Sequence, residues 1–161
     1  MLRRRDGPGL FNRRPYRIVG AASHRYRAAP RLSEAEVAAF EVAHLVSLPA
    51  EYREWITAVG NGGVGPDEGL GPLAEWDLVR GQRIREPDFL RLPFEPGSGR
   101  RGTLCLASRE LREPLLVVTG PAAGEIWMDD GGELKPEVAQ GLRLGFYDWL
   151  DAWIGRSLRE L

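Results

Sequence analysis

The stretch spanning residues 48–63 constrains the fold of this chain more than any other segment. Pro49 suits the first turn of a helix, and the apolar residues after it recur at i, i+3, i+4 and i+7. One face of a short amphipathic helix therefore carries Tyr52, Trp55, Ile56 and Val59. Gly60 and Asn61 follow, and both residue types adopt the left-handed conformation that ends a helix. The pattern predicts an amphipathic helix that packs on a core and is closed by glycine.

Two other segments show helix patterns. Ser33 and Glu36 can form a capping box, in which hydroxyl and carboxylate satisfy each other's backbone amides, so a helix is expected to start there. Val37, Phe40 and Leu45 are available for its apolar face. Near the C-terminus, large apolar residues recur at helical spacing, at Phe146, Trp149, Leu150, Trp153 and Ile154. This repeat predicts an amphipathic helix that docks on the sheet.

Apolar runs of strand length occupy residues 103–106 and 115–119. A turn rich in Gly and Pro then leads the second run back into a segment that contains Trp127, which predicts an antiparallel hairpin. The sequence Asp129-Asp130-Gly131-Gly132 predicts a further turn, with Leu134 in a short edge strand. Residues 74–79 are expected to form a helical turn, and residues 80–101 a long connection with at most one short strand.

The net charge of −1 conceals an uneven distribution along the chain. Residues 1–31 contain nine arginines and one acidic residue, Asp6, so their net charge is 9 − 1 = +8. The remainder carries −1 − 8 = −9, from 13 basic and 22 acidic residues. A basic tail attracts anions, whereas an acidic domain attracts cationic partners, and the two parts therefore predict different interactions.

Length and composition favour one domain. Residues 1–28 show no sustained period and are predicted to be an arginine-rich disordered extension, or a segment outside the natural protein. Residues 29–161 fit a single domain. No window approaches the ~18 consecutive apolar residues of a membrane span, and no apolar signal segment begins the chain, so a cytoplasmic location without membrane contact is expected. Cys105 has no second cysteine to pair with and is expected to be a small buried residue.

Motifs follow one another in a recognisable order along residues 24–158. The residues that carry this order are Leu48, Pro49, Tyr52, Trp55, Gly60, Asn61, Gly62, Gly63, Trp127, Phe146, Trp149 and Trp153. In this order they resemble the signature of the SUKH superfamily, which joins fungal cell-wall assembly regulators of the Smi and Knr type to bacterial immunity proteins. The chain departs from the family at Trp55, where phenylalanine is common, and at Asp67 and Glu68, where aromatic residues are common.

The resemblance implies both a fold and a function. It implies an α+β domain in which N-terminal helices and a C-terminal amphipathic helix pack on a mainly antiparallel sheet. It further implies a protein-binding role without catalysis, often as an immunity protein that holds a nuclease or other toxin domain inactive. A regulatory scaffold like the fungal relatives is the alternative that the resemblance leaves open.

An acidic domain of this kind is expected to bind a basic toxin domain through exposed acidic loops. The candidate contact residues are Asp67, Glu68, Glu75, Trp76, Asp77, Asp129 and Asp130. Trp76 suits a binding surface about as well as a core, because acidic residues flank it. The other tryptophans occupy apolar faces and are expected in the core.

Other chemistries are less well supported by the sequence. His24 and His44 stand in no recognisable catalytic motif, and no catalytic, cofactor-binding or metal-binding residue is expected. The Gly60-Asn61-Gly62-Gly63 loop follows a helix instead of preceding one, so a helix cap is favoured over a phosphate site. The arginines of residues 1–31 are expected to attract nucleic acid weakly and without specificity. Oligomeric state is left open by the sequence.

Overall fold

A computed structural model describes residues 16–18, 20–66, 68–107 and 112–159. Within these ranges the helices are α1 (Ala21–His24), α2 (Glu34–His44), α3 (Ala50–Glu54) and α4 (Phe146–Arg159). A π-helical turn, Trp55–Val59, continues α3, and a 3-10 turn occupies Leu73–Glu75. The strands are β1 (Leu78–Val79), β2 (Gln82–Arg83), β3 (Thr103–Cys105), β4 (Arg112–Val117), β5 (Ile126–Asp130), β6 (Glu133–Pro136), β7 (Val138–Ala139) and β8 (Leu142–Arg143).

Strands β3 to β6 form a four-stranded antiparallel sheet in chain order, and both of its faces are covered. Leu116 and Ile126 lie in the larger core cluster with the helices, whereas Leu115 and Trp127 lie in a second cluster on the other face with Phe94. Because β4 is buried on both faces, its sequence is a continuous apolar run at 115–117. Two small hairpins, β1–β2 and β7–β8, stand outside this sheet.

The larger core joins α2, α3 and α4 to the sheet. Tyr52 of α3 packs edge-on against Phe146 of α4, with ring centroids 5.3 Å apart, and Trp55 packs against the same ring at 5.8 Å. Val37 of α2 is fully buried beside them. The aromatic residues of the helix patterns thus hold the helices to one another as well as to the sheet.

Most predicted elements are confirmed, including the α+β class with a mainly antiparallel sheet and a C-terminal helix. The capping box is present, because the amide of Glu36 donates to Ser33 Oγ at 3.2 Å and the amide of Ser33 donates to Glu36 Oε2 at 2.7 Å. The predicted hairpin is β4–β5, and Leu134 lies in β6. The β7–β8 hairpin is too short, at two residues a strand, to leave a pattern in the sequence.

Three apolar residues do not lie where the helical periods place them. Val59 is exposed because the helix widens into a π turn after Glu54, which changes the angle between successive side chains. Leu45 is exposed because it follows the last residue of α2 in a left-handed conformation. Ile154 lies at the edge of the α4 apolar face and is also partly exposed. The other four residues of the α4 repeat are buried as predicted.

The glycine loop is not the left-handed helix cap that the sequence predicts. Gly60 has an extended backbone, with φ 173°, and its amide donates to the Trp55 carbonyl at 3.0 Å. A Cβ atom on Gly60 would lie 2.5 Å from the Ala29 carbonyl oxygen and 2.6 Å from Ala28 Cβ. Glycine is therefore required here by the close approach of another backbone segment.

The loop forms a junction of three backbone segments. On one side the amide of Ala29 donates to the Gly62 carbonyl at 2.9 Å, and on the other Gly63 and Leu70 exchange hydrogen bonds of 2.8 and 2.9 Å. The amide of Asn61 donates to the Pro30 carbonyl at 3.1 Å. These amides are consequently engaged by backbone acceptors, which argues against a phosphate site in agreement with the sequence interpretation.

The N-terminal boundary at residue 28 is wrong in part. Residues 21–24 form α1, Ala21 is fully buried, and Ile18 packs with it against Trp153 of α4. Ala28 pairs with Gly63 in the three-segment junction. This segment is buried by residues that are distant in the sequence, so it needs no helical or strand periodicity of apolar residues. Its sequence is therefore like that of a disordered extension. Residues 1–15 and 19 lie outside the described residues.

A buried ion network lies on the sheet face that carries Phe94. Glu113 and Asp129 stand directly opposite each other on β4 and β5, and both side chains are almost fully buried. Arg100 bridges them, since its Nη2 lies 2.5 Å from Glu113 Oε2 and also contacts Asp129 Oδ2. Arg80 adds its amide, which donates to Glu113 Oε1 at 2.8 Å. The network therefore ties the β1–β2 hairpin to the sheet.

We expect Gly63→Ala to destabilise the fold more than a glycine substitution with the same backbone angle in open space. Gly63 has φ 90°, and its Cβ would overlap the Arg27 carbonyl and lie 2.9 Å from the Ala29 amide nitrogen. Gly124 has φ 94° with nothing within 4 Å. Left-handed strain alone costs about 1–2 kcal/mol, and the overlap adds about 1–3 kcal/mol in Gly63→Ala only. Urea unfolding of both variants measures the difference, and equal losses would contradict the close-approach explanation.

Replacing Arg100 by Met should lower the free energy of unfolding by about 3–5 kcal/mol, because it leaves two buried carboxylates facing each other. The matched control is Arg91→Met, since Arg91 pairs with Asp88 at 2.7 Å where both side chains are about half exposed. An exposed pair of this kind contributes about 1 kcal/mol or less. Chemical denaturation measures the free energy of unfolding of the two variants. Similar losses of this free energy would mean that the buried network contributes no more to stability than a surface ion pair.

Cys105 should react very slowly with thiol reagents in the folded protein. Burial, followed by the nearby Glu113 carboxylate, raises the pKa of the Cys105 thiol to about 12, so almost none of it is thiolate at pH 8. Labelling with a chromogenic disulfide at pH 8 should be slow in buffer and fast in denaturant. Equal rates would show that the thiol is accessible in the native state.

Candidate functional site

A groove of about 310 Å³ opens beside Trp76, between the end of α2 and the connection that follows β2. One wall is formed by residues 43–45, the floor by Trp76 and Phe89, and the opposite wall by residues 84–88. We refer to this surface as the Trp76 groove. It is the place where the structure gathers apolar side chains beside Trp76 and Asp77, two of the residues that the sequence singles out.

Trp76 is held from two directions. The amide of Leu73 donates to Asn61 Oδ1 at 2.7 Å, which fixes the 3-10 turn before Trp76 to the three-segment junction. The Trp76 carbonyl accepts from the amide of Cys105 at 2.9 Å, which fixes it to strand β3. Trp76 is half-buried, packs on the core and lines the groove. Trp76 therefore contacts the core on one side and lines an open groove on the other.

Aromatic rings surround the Trp76 indole. Phe40 and His44, one turn apart on α2, approach it edge-on with centroid distances of 6.3 and 5.0 Å. Phe89 lies 6.3 Å away at a tilt of 39°. Aromatic side chains have few rotatable bonds, so a wall made of them loses little conformational entropy when a ligand is bound.

Leu45 is the most unusual residue of the groove. It has φ 55°, and its amide closes α2 by donating to the carbonyls of Glu41 and Val42. This position favours glycine, and for other residues the left-handed conformation costs about 1–2 kcal/mol. The side chain is nevertheless leucine, 66% exposed, and Val42 beside it is 74% exposed. Asp88 on the opposite wall also has a positive φ, of 65°, which aspartate tolerates better than leucine.

Ion pairs line the rim of the groove. Three carboxylates, from Asp77, Glu86 and Asp88, lie there beside one arginine, Arg85. Each carboxylate also forms an ion pair, with Arg83, Arg101 and Arg91 respectively, at 2.5–2.7 Å. The arginine side chains of these pairs are 45–58% exposed, and exposed pairs are weak. A cation of another molecule can therefore compete for these carboxylates.

The predicted contact residues lie in different environments. Glu68 and Glu75 are exposed, as expected, and Asp77 is half-buried beside Arg83. Asp130 is exposed at the end of β5, where it stands opposite Arg112. Asp67 lies outside the described residues. Glu75, Trp76 and Asp77 are thus brought together by the 3-10 turn, and Asp130 belongs to another part of the sheet.

The exposure expected of Asp129 is wrong. Asp129 is 3% exposed, and its carboxylate is held by Arg100 and by the amide of Gly132. It precedes a glycine turn as predicted, but the register of β5 directs it to the face of Glu113, under the polar connection that contains Arg100. The Asp129 carboxylate is therefore engaged in contacts within the fold and is not exposed as the sequence predicts.

A second cavity, of about 420 Å³, lies between the start of α3 and the turn before β5. It contains the carboxylates of Glu51 and Glu125 among largely apolar walls. Glu51 Oε2 accepts from the amide of Tyr147 at 3.0 Å, and Glu125 Oε2 accepts from Trp127 Nε1 and pairs with Arg143. Both carboxylates are therefore engaged in contacts within the fold.

The two other features of interest are a buried histidine and the distribution of possible metal ligands. His24 is buried, and its Nδ1 accepts from the amide of Tyr26 at 3.0 Å. In the described part of the chain, no group of three His, Cys, Asp or Glu side chains could hold a metal ion. Over the same residues, no helix is both long and apolar enough to cross a membrane.

Several groove residues are absent from the sequence-based candidates. Leu45 appears there only as a helix residue, His44 only as a histidine outside any catalytic motif, and residues 84–90 only as part of a connection. The left-handed conformation of Leu45 has no signal in the sequence, because such a helix end is normally marked by Gly or Asn. No local sequence pattern predicts that residues 43–45 lie across the groove from residues 84–90.

The chain matches no protein-family model, no curated protein and no solved structure.

Proposed function

We propose that this chain is an intracellular protein-binding domain of the SUKH type, which binds a basic partner and covers that partner's working surface. The observation that supports the proposal best is the Trp76 groove, where an apolar aromatic surface is bordered by carboxylates. Binding sites on proteins combine a desolvated apolar centre with a polar rim, and Trp is enriched at the centre.

The partner that fits this surface is a cationic protein. Glu68 and Glu75 are exposed close in sequence to Trp76, and the region outside residues 1–31 carries −9. Nuclease domains have basic clefts because they hold phosphates, so an acidic domain is steered toward them. Together with the resemblance to immunity proteins, this favours a cognate toxin domain, of nuclease type, as the partner.

A regulatory scaffold is the second candidate, and the same surface would serve it. The two functions differ in the number of partners, since a scaffold joins several proteins and an immunity protein holds one. Affinity purification from the native cell separates them. A single stoichiometric basic partner supports neutralisation, and several unrelated partners support a scaffold.

The direct test is co-expression with the product of the adjoining open reading frame, followed by binding and growth-protection measurements. We expect a stable complex whose association slows as salt rises. The double charge reversal Glu68→Lys with Glu75→Lys should weaken binding by about tenfold or more, mainly through slower association. The matched control is Glu95→Lys with Asp151→Lys, which makes the same change in net charge at exposed positions on other elements.

The two double variants have opposite expected outcomes. The proposal is wrong if the co-expressed protein neither binds nor loses toxicity. It is also wrong if the control pair weakens the complex as much as the Glu68 and Glu75 pair, because net charge alone would then explain the binding. Deleting residues 1–15 should leave the complex intact, and loss of DNA or RNA retention in that variant would support the nucleic-acid interpretation of the arginine-rich start.

A further inference from the structure

We propose that Asn61-Gly62, in the loop of the three-segment junction, is a site of spontaneous deamidation that the native fold protects. Isoaspartate formed there in an unfolded chain prevents the junction from forming again. Unfolding therefore becomes irreversible for part of the chains. The site requires no partner, so it is independent of the proposed function.

Asparagine followed by glycine is prone to deamidation, because glycine has no side chain to hinder its own amide nitrogen. The Gly62 nitrogen attacks Asn61 Cγ, and the side-chain nitrogen leaves as ammonia, taking the proton of the Gly62 amide. Water then opens the cyclic imide. Opening at Cγ restores the normal main chain with aspartate, whereas opening at the main-chain carbonyl of position 61 leaves isoaspartate, in which the main chain runs through Cβ and Cγ.

Asn61 is held in the folded chain by both its side chain and its main chain. Its Oδ1 accepts from the amide of Leu73 at 2.7 Å, and its own amide donates to the Pro30 carbonyl at 3.1 Å. The donor on Oδ1 polarises the side-chain carbonyl, which by itself favours attack on Cγ. Attack also requires the Gly62 nitrogen to move over Cγ, however, and that motion turns the main chain at Asn61.

Gly62 has no freedom for this motion. It is buried with φ 96°, and its carbonyl accepts from the amide of Ala29 at 2.9 Å. A Cβ atom on Gly62 would lie 2.9 Å from the Leu70 carbonyl oxygen, so a second segment contacts it from the other side. Turning the main chain here breaks hydrogen bonds of the junction. Reaction in the native state therefore waits for local opening, which is rare where backbone hydrogen bonds are buried.

Isoaspartate is incompatible with the junction because it lengthens the main chain. It adds a methylene group between positions 61 and 62, whereas the contacts of this loop with residues 27–30 and 69–71 leave no space even for a Cβ atom on its glycines. Aspartate keeps the normal main chain, and a carboxylate oxygen accepts from the Leu73 amide as the amide oxygen does. The two products of one reaction therefore have opposite effects on refolding.

Peptide mapping by mass spectrometry measures the deamidation of Asn61 in the full chain, in buffer and in urea that unfolds it, at the same mildly alkaline pH. A synthetic peptide of residues 57–66 gives the rate of the unrestrained dipeptide. We expect the rate in urea to match that of the peptide and the rate in buffer to be at least about tenfold lower, since only the opened junction reacts. A rate in buffer equal to or above that of the peptide would overturn the proposal.

Gly63→Ala and Gly124→Ala separate loosening of the junction from loss of a glycine elsewhere. The two residues have φ of 90° and 94°, but only Gly63 contacts another segment. Gly63→Ala should raise the deamidation rate in buffer by about tenfold or more, whether it loosens the junction or unfolds the chain, and Gly124→Ala should leave the rate close to that of the parent. Equal rates in the two variants would contradict protection by the junction.

Refolding tests the effect of the two products. Chains are held in urea until Asn61 has partly reacted, returned to buffer, and separated by size into folded and unfolded molecules. Enzymatic methylation that is selective for the isoaspartate carboxylate then identifies the product at position 61. Isoaspartate should be at least about tenfold enriched among the unfolded molecules, and aspartate should occur among the folded ones. Isoaspartate that is shared equally between the two fractions would overturn the proposal.

Asn61→Asp is the control for the new charge. It should refold as the parent does and keep a similar thermal midpoint, because its main chain is normal and the Leu73 amide retains an acceptor. If Asn61→Asp fails to fold, the charge and not the added methylene group excludes the deamidated chain, and the role proposed for isoaspartate is wrong.

Discussion

The close approach of three backbone segments at Gly60 to Gly63 is the constraint on which the rest of the structure depends. Residues 27–30 and 69–71 contact this loop from opposite sides through main-chain hydrogen bonds, at distances that admit no Cβ atom. Side-chain packing tolerates changes of a methylene or so, but a backbone contact tolerates none without moving a whole segment. The junction therefore fixes where the chain goes after α3.

The binding surface follows directly from that junction. Asn61 lies within the loop, and its side chain holds the amide of Leu73, so the turn before Trp76 is set by the same segment. On the far side of Trp76, the buried network of Arg100, Glu113 and Asp129 holds the β1–β2 hairpin through the amide of Arg80. The groove floor thus stands between two rigid anchors, one made of backbone and one made of buried ion pairs.

The features that the sequence predicts correctly depend on residues that lie close together in the chain. The Ser33 capping box and the α4 repeat involve residues three or four apart, and the hairpin at Leu116 and Ile126 involves a short turn. Asp129 and Val59 show the limit of such patterns. The burial of Asp129 depends on Arg100, 29 positions away, and the exposure of Val59 depends on a π turn that is stabilised by the contact of Gly60 with Ala28 and Ala29.

The groove lies beyond that limit for the same reason. Its walls come from segments that are 40 residues apart in sequence, and its most informative residue, Leu45, was assigned by periodicity to the buried face of α2. The residues that carry the SUKH resemblance, such as Tyr52, Trp149 and Gly63, are buried or serve the backbone junction, so they specify a scaffold and not a partner. The residues that would choose the partner are free of packing constraints, since Glu68, Glu75 and Leu45 are all exposed. A chain can therefore keep the scaffold while its groove changes, because the forces that stabilise the fold and the contacts that select a ligand act on different side chains.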